Sequence, residues 1–447
     1  MSLIQDKIVV VKDFVLSGNK DTKSFVILKE STIKQGDSLL VSELLIKIEK
    51  TRENILNTSL FNFVTINFTY QTDKEVVINI AVIERWYWWP YPILEHADRN
   101  FSSWLKNEEW DRVNYGLFIL KNNFRGRNET LKIKFRLGYK QQYEIFYNNP
   151  NILNKKHGIG IGVDYFQQNE IASSTKDNKQ VYLKTEDHYI LTNKLATINY
   201  YIRSGLYLKN IFTFVYSDTW ADTTILKTNS QYLGDSISSS RFFTASYSFF
   251  WDKRDSKVYP IYGNYFKFDI LKRGFKCIDD DLDLFSVKLH AAKYLKFTQK
   301  LSFSTELKGQ YSTSSIPYYL NSGLGYKDFM HGYEYYVIDG ENYGALRTNF
   351  KCNLVKPSIV NIDFIHNEKF GKAHYAVYFN LFVDAGYVNK SGIIEKSNTF
   401  VNSYLYSAGV GIDFVTYYDK ILRIEYSVNK NGESGVFLHF GAPIFSD

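Results

Sequence analysis

Tyr375-Ala376-Val377-Tyr378-Phe379-Asn380-Leu381-Phe382-Val383-Asp384-Ala385 is the stretch on which the fold turns, because similar segments fill the chain from Val113 onward. Each runs for roughly ten residues between polar turns, the length a tilted strand needs to cross a bilayer. Working outward, comparable segments run Tyr115 to Leu120, Thr130 to Leu137, Gln142 to Tyr147, Gly158 to Phe166, Gly205 to Tyr216, Phe242 to Trp251, Asn264 to Leu271, Leu284 to Leu295, Leu301 to Gln310, Tyr404 to Phe414 and Val436 to Phe440. Further candidates at Val181 to His188, Thr197 to Ile202, Tyr343 to Leu354 and Ile421 to Val428 bring the count to about 16, an even number as bacterial barrels have. No run of 18 apolar residues occurs, so a membrane helix is excluded; the remaining way across a bilayer is a closed barrel.

Composition agrees with strands without deciding between lipid and water. The 36 Tyr and 34 Phe help bring the aromatic fraction to 17% in a chain of slightly polar mean hydropathy. Aromatic and β-branched side chains suit a pleated surface, and soluble all-β sandwiches share that bias. The 54 Lys and Arg against 47 Asp and Glu leave a charge of +7. Both signs are interleaved along most segments, so nucleic acid is not the expected partner. Cys277 and Cys352 stand far apart with no CxxC spacing, which indicates neither a disulfide framework nor a zinc site. The start, Met1 to Lys7, lacks the basic and apolar regions of a secretory signal; for an outer-membrane barrel, the expectation is that a signal peptide has been removed.

Residues 8–84 read as a separate small α+β domain of order β-α-α-β-β. Ile8 to Leu16 is an apolar-rich strand ended by Ser17-Gly18-Asn19, and Asp21-Thr22 can cap a short helix through Leu28. Gly36-Asp37 breaks the chain, and Ser42-Glu43-Leu44 opens a helix with Leu45, Ile48, Arg52, Ile55 and Leu56 at helical spacing. Two strands follow, one alternating from Phe61 to Thr69, the other running from Glu75 to Ile83. Residues 85–112, with Trp86, Tyr87, Trp88, Trp89 and Tyr91, read as a connector where the domain meets the membrane face, since aromatic rings with polar handles prefer the headgroup region. A packed core patch is the alternative. The barrel is expected over 113–447.

Several motifs carry a resemblance. Val15-Leu16-Ser17-Gly18-Asn19-Lys20-Asp21-Thr22, Gly36-Asp37 and Asn57-Thr58-Ser59-Leu60-Phe61-Asn62-Phe63-Val64 resemble one POTRA domain, the periplasmic repeat of the BamA/TamA and two-partner-secretion superfamily. Asn114-Tyr115-Gly116-Leu117 with Asn122 and Gly126 resembles that superfamily's opening barrel hairpin. Asp252, Arg254 and Asp255, followed by Pro260 and Gly263, resemble its D-x-R-D…P…G turn. Met330-His331-Gly332-Tyr333-Glu334 stands where the family has an R-G-Y/F motif on a loop folded into the lumen, and Phe382-Val383-Asp384-Ala385-Gly386 resembles the F-x-D-x-G wall strand that meets it.

One departure stands out: the loop arginine is His331, and Lys351 occupies a position where an acidic wall residue is expected. Histidine lacks arginine's permanently charged fork, so a weaker loop-to-wall lock is expected, with His331 pairing Asp384 beside Gly332 and Tyr333. The resemblance further implies that clients pair along an exposed sheet edge, for which the strand carrying Asn62, Val64, Ile66 and Phe68 is the candidate; completing a small sheet is the plainer reading. The last strand, with Phe437, Phe440 and Phe445, serves either as an assembly signal or as plain strand closure.

Catalytic chemistry has little support. His157-Gly158-Ile159-Gly160-Ile161-Gly162 holds a G-x-G-x-G string, but a strand pattern follows where a phosphate loop needs a helix. Asp279, Asp280, Asp281 and Asp283 lack the glycine and terminal glutamate of an EF-hand. No HxxxH, HExxH or G-x-S-x-G spacing occurs, so no catalytic, metal or cofactor residue is nominated. The expectation is an all-β transmembrane barrel with one POTRA domain, in the bacterial outer membrane. Its partners would be lipids, client or secreted proteins and accessory lipoproteins. Its role would be to insert other barrels, to export a partner protein, or to scaffold an envelope complex.

Overall fold

The computed structural model describes residues 7–96, 113–152, 156–185, 188–278, 282–321, 323–363, 365, 367, 369–392, 394–416, 418 and 420–441. The small domain comprises β1 (Ile8–Ser17), α1 (Ser24–Leu28), β2 (Ser38–Leu40), α2 (Val41–Leu56), β3 (Phe61–Tyr70) and β4 (Glu75–Glu84). Its sheet runs β2-β1-β4-β3, with β1 and β4 parallel and the other pairs antiparallel. The three-residue β2 is an extra strand that no alternation of its length could reveal. Val9, Val11, Ile78 and Ile80 from the sheet pack on Val26, Ile27, Val41, Leu44, Ile48 and Ile55 from the helices. The buried stripe of α2 thus runs through Leu44; Leu45, expected inside, is 54% exposed. Asp21 and Thr22 do not cap α1. Their backbone N–H groups donate to the Glu84 carboxylate at 3.1 and 2.7 Å, which ties the turn to the end of β4.

The remaining strands form one antiparallel sheet of 16, curled into a barrel. In chain order its strands are β5 (Trp88–His96), β6 (Val113–Phe124), β7 (Glu129–Gly138), β8 (Lys140–Asn149), β9 (His157–Gln168), β12 (Leu191–Arg203), β13 (Leu208–Ala221), β14 (Ser239–Asp252), β15 (Gly263–Arg273), β16 (Leu284–Lys296), β17 (Leu301–Ser312), β18 (Asn342–Asn361), β19 (Lys372–Asn389), β20 (Tyr404–Thr416), β21 (Lys420–Asn429) and β22 (Ser434–Gly441). A side hairpin, β10 (Glu170–Lys176) with β11 (Lys179–Lys184), interrupts the series.

Two assignments change. The connector expected over 85–112 contains the first barrel strand: Trp88 to His96 pairs antiparallel with His96 opposite Val113. Its prolines and tryptophans hid the pattern, and residues 97–112 lie outside the described residues. Conversely the stretch expected from Val181 to His188 is not a barrel strand, since Val181 to Lys184 belong to the side hairpin, so one gain and one loss leave the count of 16 unchanged.

Alternation on β19 explains the barrel. Tyr375, Phe379, Leu381 and Val383 are exposed on one face, while Ala376, Tyr378, Asn380, Phe382 and Asp384 are buried on the other. Exposing such an apolar row around a whole sheet suits hydrocarbon and not water. The G-x-G-x-G string lies inside β9. A Cβ on Gly162 would meet Phe146 at 2.6 Å, so the small residues make room for rings packed inside the barrel.

Candidate functional site in the lumen and at the strand seam

Short turns cluster at the end of the barrel that carries the small domain, and they hold it. The buried Glu30 carboxylate receives both terminal nitrogens of Arg203 at 2.5 and 2.6 Å. Asn57 donates to the Asp255 carbonyl at 3.0 Å, and its own side-chain oxygen accepts the Lys257 backbone N–H at 2.9 Å. The D-x-R-D turn is built for this contact. Arg254 forks onto Asp252 with two bonds of 2.8 Å and lies 4.3 Å over the Tyr265 ring. Asp255 accepts the Ile261 and Tyr262 N–H groups at 3.0 and 3.3 Å, folding the loop across the buried Pro260. Burial pushes the Asp255 carboxyl above its ordinary range. Gly263 has φ +114°, and a Cβ there would lie 2.3 Å from the Lys253 carbonyl oxygen, so glycine is required.

The loop between β17 and β18 enters the lumen. His331 Nδ1 lies 2.7 Å from Asp384 Oδ2, which also accepts the His331 backbone N–H at 3.1 Å. The imidazole stacks on Phe382 with ring centres 4.1 Å apart. Gly332, at φ +81°, passes between Ser407 and Asn429, and its carbonyl accepts the Asn429 amide at 3.2 Å. Tyr333 donates to the Tyr406 carbonyl at 3.0 Å. The four nominated residues therefore meet on one patch of wall. Lys351 is elsewhere, 4.1 Å over the Tyr259 ring; Tyr259 donates to Asp413 at 2.8 Å, and Arg423 forks onto that carboxylate at 2.6 and 2.8 Å.

A second attachment was missed from the sequence. Arg347 on β18 donates to Glu306 at 2.6 Å and to the loop carbonyl of Phe329 at 3.3 Å. Lys308 and Tyr343 hold loop residue Asp328 at 2.7 and 2.6 Å. Here the wall supplies the arginine that the loop lacks. A signal was available: charged residues at alternate positions of a membrane strand, such as Glu306 and Lys308, must share the inner face.

Other nominated residues do not converge. Val64, Ile66 and Phe68 pack into the small domain's core, leaving Thr65, Asn67 and Thr69 outward. Asn62 sits at a bulge and donates to the Lys369 carbonyl of a barrel turn at 2.9 Å. β3 is nevertheless the end strand of its sheet. Phe437 is buried against Tyr335 at 5.0 Å, Phe440 is 66% exposed, and Phe445 lies outside the described residues.

The sheet order ends at β5 and β22, and no ladder joins them among the described residues. The Asn122 N–H donates to the Tyr87 carbonyl at 2.8 Å. With Trp88 opposite Lys121, antiparallel alternation then makes Trp89 and Tyr91 the hydrogen-bonded partners of β6. Pro90 and Pro92 fall on the intervening positions, with their nitrogens toward the seam. Proline has no N–H, so the seam edge of β5 lacks two adjacent donors.

Residues 123–433 match the Omp85 superfamily domain. The chain belongs to the Omp85 superfamily. Among solved structures of similar fold are BamA from Haemophilus ducreyi lacking POTRA domains 1–3, with 13% identity and a TM-score of 0.54 over 97% of this chain and 83% of that one. CdiB from Escherichia coli has 10% identity and a TM-score of 0.56 over 98% of this chain and 76% of that one. Both likenesses concern the fold. Comparison with curated protein sequences finds no match. As an Omp85 member the chain is an outer-membrane β-barrel protein with one POTRA-like domain.

Proposed function

We propose that this Omp85 protein assists the insertion of other barrels into the outer membrane, with its POTRA-like domain in the periplasm and the seam between β5 and β22 as the place where a client strand pairs. The observation that carries this reading is the pair Pro90 and Pro92. An edge that cannot supply its full set of donors closes poorly on its own last strand. Its carbonyls still offer acceptors, and in hydrocarbon an incoming strand edge is a ready source of N–H groups. The outer edge of β3 suits an earlier encounter with the same client, through backbone pairing along Thr65 to Tyr70. Lipids and accessory lipoproteins are the further partners this reading implies.

Export of a partner protein through the lumen is the competing reading. It requires the loop to leave, against the His331–Asp384 contact and the Arg347–Glu306–Asp328 cluster that hold it. A scaffold would move nothing. The test is reconstitution of the full chain in lipid vesicles with a urea-unfolded outer-membrane barrel, its folding read by heat-modifiable gel mobility. Folding several times faster than in protein-free vesicles is expected. Unaccelerated folding, or a soluble partner accumulating inside the vesicles instead, contradicts the proposal.

A further inference from the structure

Beneath the loop lies a cluster that neither reading uses. Glu334 from the loop, Glu425 from β21 and His439 from β22 each place a ligand atom within 4.8 Å of the others. His439 Nε2 is 3.0 Å from Glu425 Oε1 and 3.7 Å from Glu334 Oε1. Both glutamates are only 1% exposed. Glu425 Oε2 is buried without a hydrogen-bond partner and lies 3.7 Å from His331 Nε2. The guanidinium on the same strand, Arg423, is already committed to Asp413 at 2.6 and 2.8 Å. Two carboxylates shut together away from water repel each other unless a cation or a proton intervenes.

The geometry points to a binding site for one first-row divalent transition cation, zinc being the type, held by Glu334, Glu425 and His439. Two carboxylate oxygens and an imidazole nitrogen match what such ions accept, with a position left for water or for His331. His331 is oriented for that role. Its Nδ1 faces the Asp384 carboxylate at 2.7 Å, which turns Nε2 toward Glu425, 3.7 Å away. This is the carboxylate–histidine arrangement that supports metal-binding imidazoles. The His439 side chain is 34% exposed, which leaves a path for the ion. A bound cation would join the loop to the last two strands, β22 included, with a single centre.

The test uses the purified full chain in detergent micelles, stripped by a chelator and titrated with Co(II), whose visible absorption reports nitrogen and oxygen ligation. Heat-modifiable gel mobility confirms that each variant is folded. The expected result is one Co(II) per chain, displaced by Zn(II). Binding is expected to be lost in Glu334→Gln and His439→Gln, and to be weakened about tenfold or more in Asp384→Asn. His439 sits at the partly exposed rim, so its variant remains informative if Glu334→Gln fails to fold. The absence of a Co(II) band in the wild-type chain, or unchanged affinity in folded Glu334→Gln or His439→Gln, overturns the site.

Discussion

His331 shows how one residue can keep a contact while changing its strength. Where the family resemblance implies a loop arginine, this chain has an imidazole that reaches Asp384 at 2.7 Å and adds a backbone bond of 3.1 Å to the same oxygen. Removing the ring by His331→Ala leaves that backbone bond but strips a fully buried carboxylate of its side-chain partner. The expected cost is about 1–3 kcal/mol, read as a lower urea midpoint for loss of heat-modifiable mobility. Arg347→Met should cost more, about 3–5 kcal/mol in the same assay, because it removes two charged hydrogen bonds at once, to half-buried Glu306 and to the Phe329 carbonyl. A smaller loss for Arg347→Met than for His331→Ala would mean that the wall arginine is not the main anchor of the loop.

At the scale of elements, β5 and the small domain's docking contacts make separate predictions. Pro90→Val with Pro92→Val restores two donors on the seam edge of β5. That double variant should unfold at a higher urea concentration than wild type while folding clients more slowly; faster client folding would detach the seam from function. Arg203→Met leaves Glu30, 4% exposed, as a buried carboxylate without its fork. The expected outcome is a loss of about 3–5 kcal/mol from domain docking. Limited proteolysis would show this as faster cleavage around Arg85 to Tyr87 with the barrel intact. Sequence alternation located most strands because lipid outside and polar lumen inside impose a period of two. It failed at Trp88 to His96, where prolines and consecutive tryptophans obscure the period. It misplaced Val181 to His188 because a hairpin outside the barrel alternates in the same way.

For the molecule as a whole, the nominated loop residues were legible because the resemblance located their two motifs, His331 to Tyr333 and Phe382 to Gly386. The Glu334, Glu425 and His439 cluster was not. These residues are 91 and 14 positions apart along the chain, joined only by the loop's descent and by the offset between β21 and β22. No short spacing could announce them. On the proposed insertase reading, the POTRA-like domain, the loop in the lumen and the proline-bearing first strand would have clients handled at the wall and not through the middle. The direct measurement is site-specific photo-crosslinking of an unfolded barrel client to vesicle-embedded protein. One probe is placed at Leu94, 80% exposed on β5, and another at the lumen-facing Asn380, 1% exposed on β19. Insertion at the seam predicts client adducts from Leu94 and none from Asn380; adducts from Asn380 with none from Leu94 would contradict it.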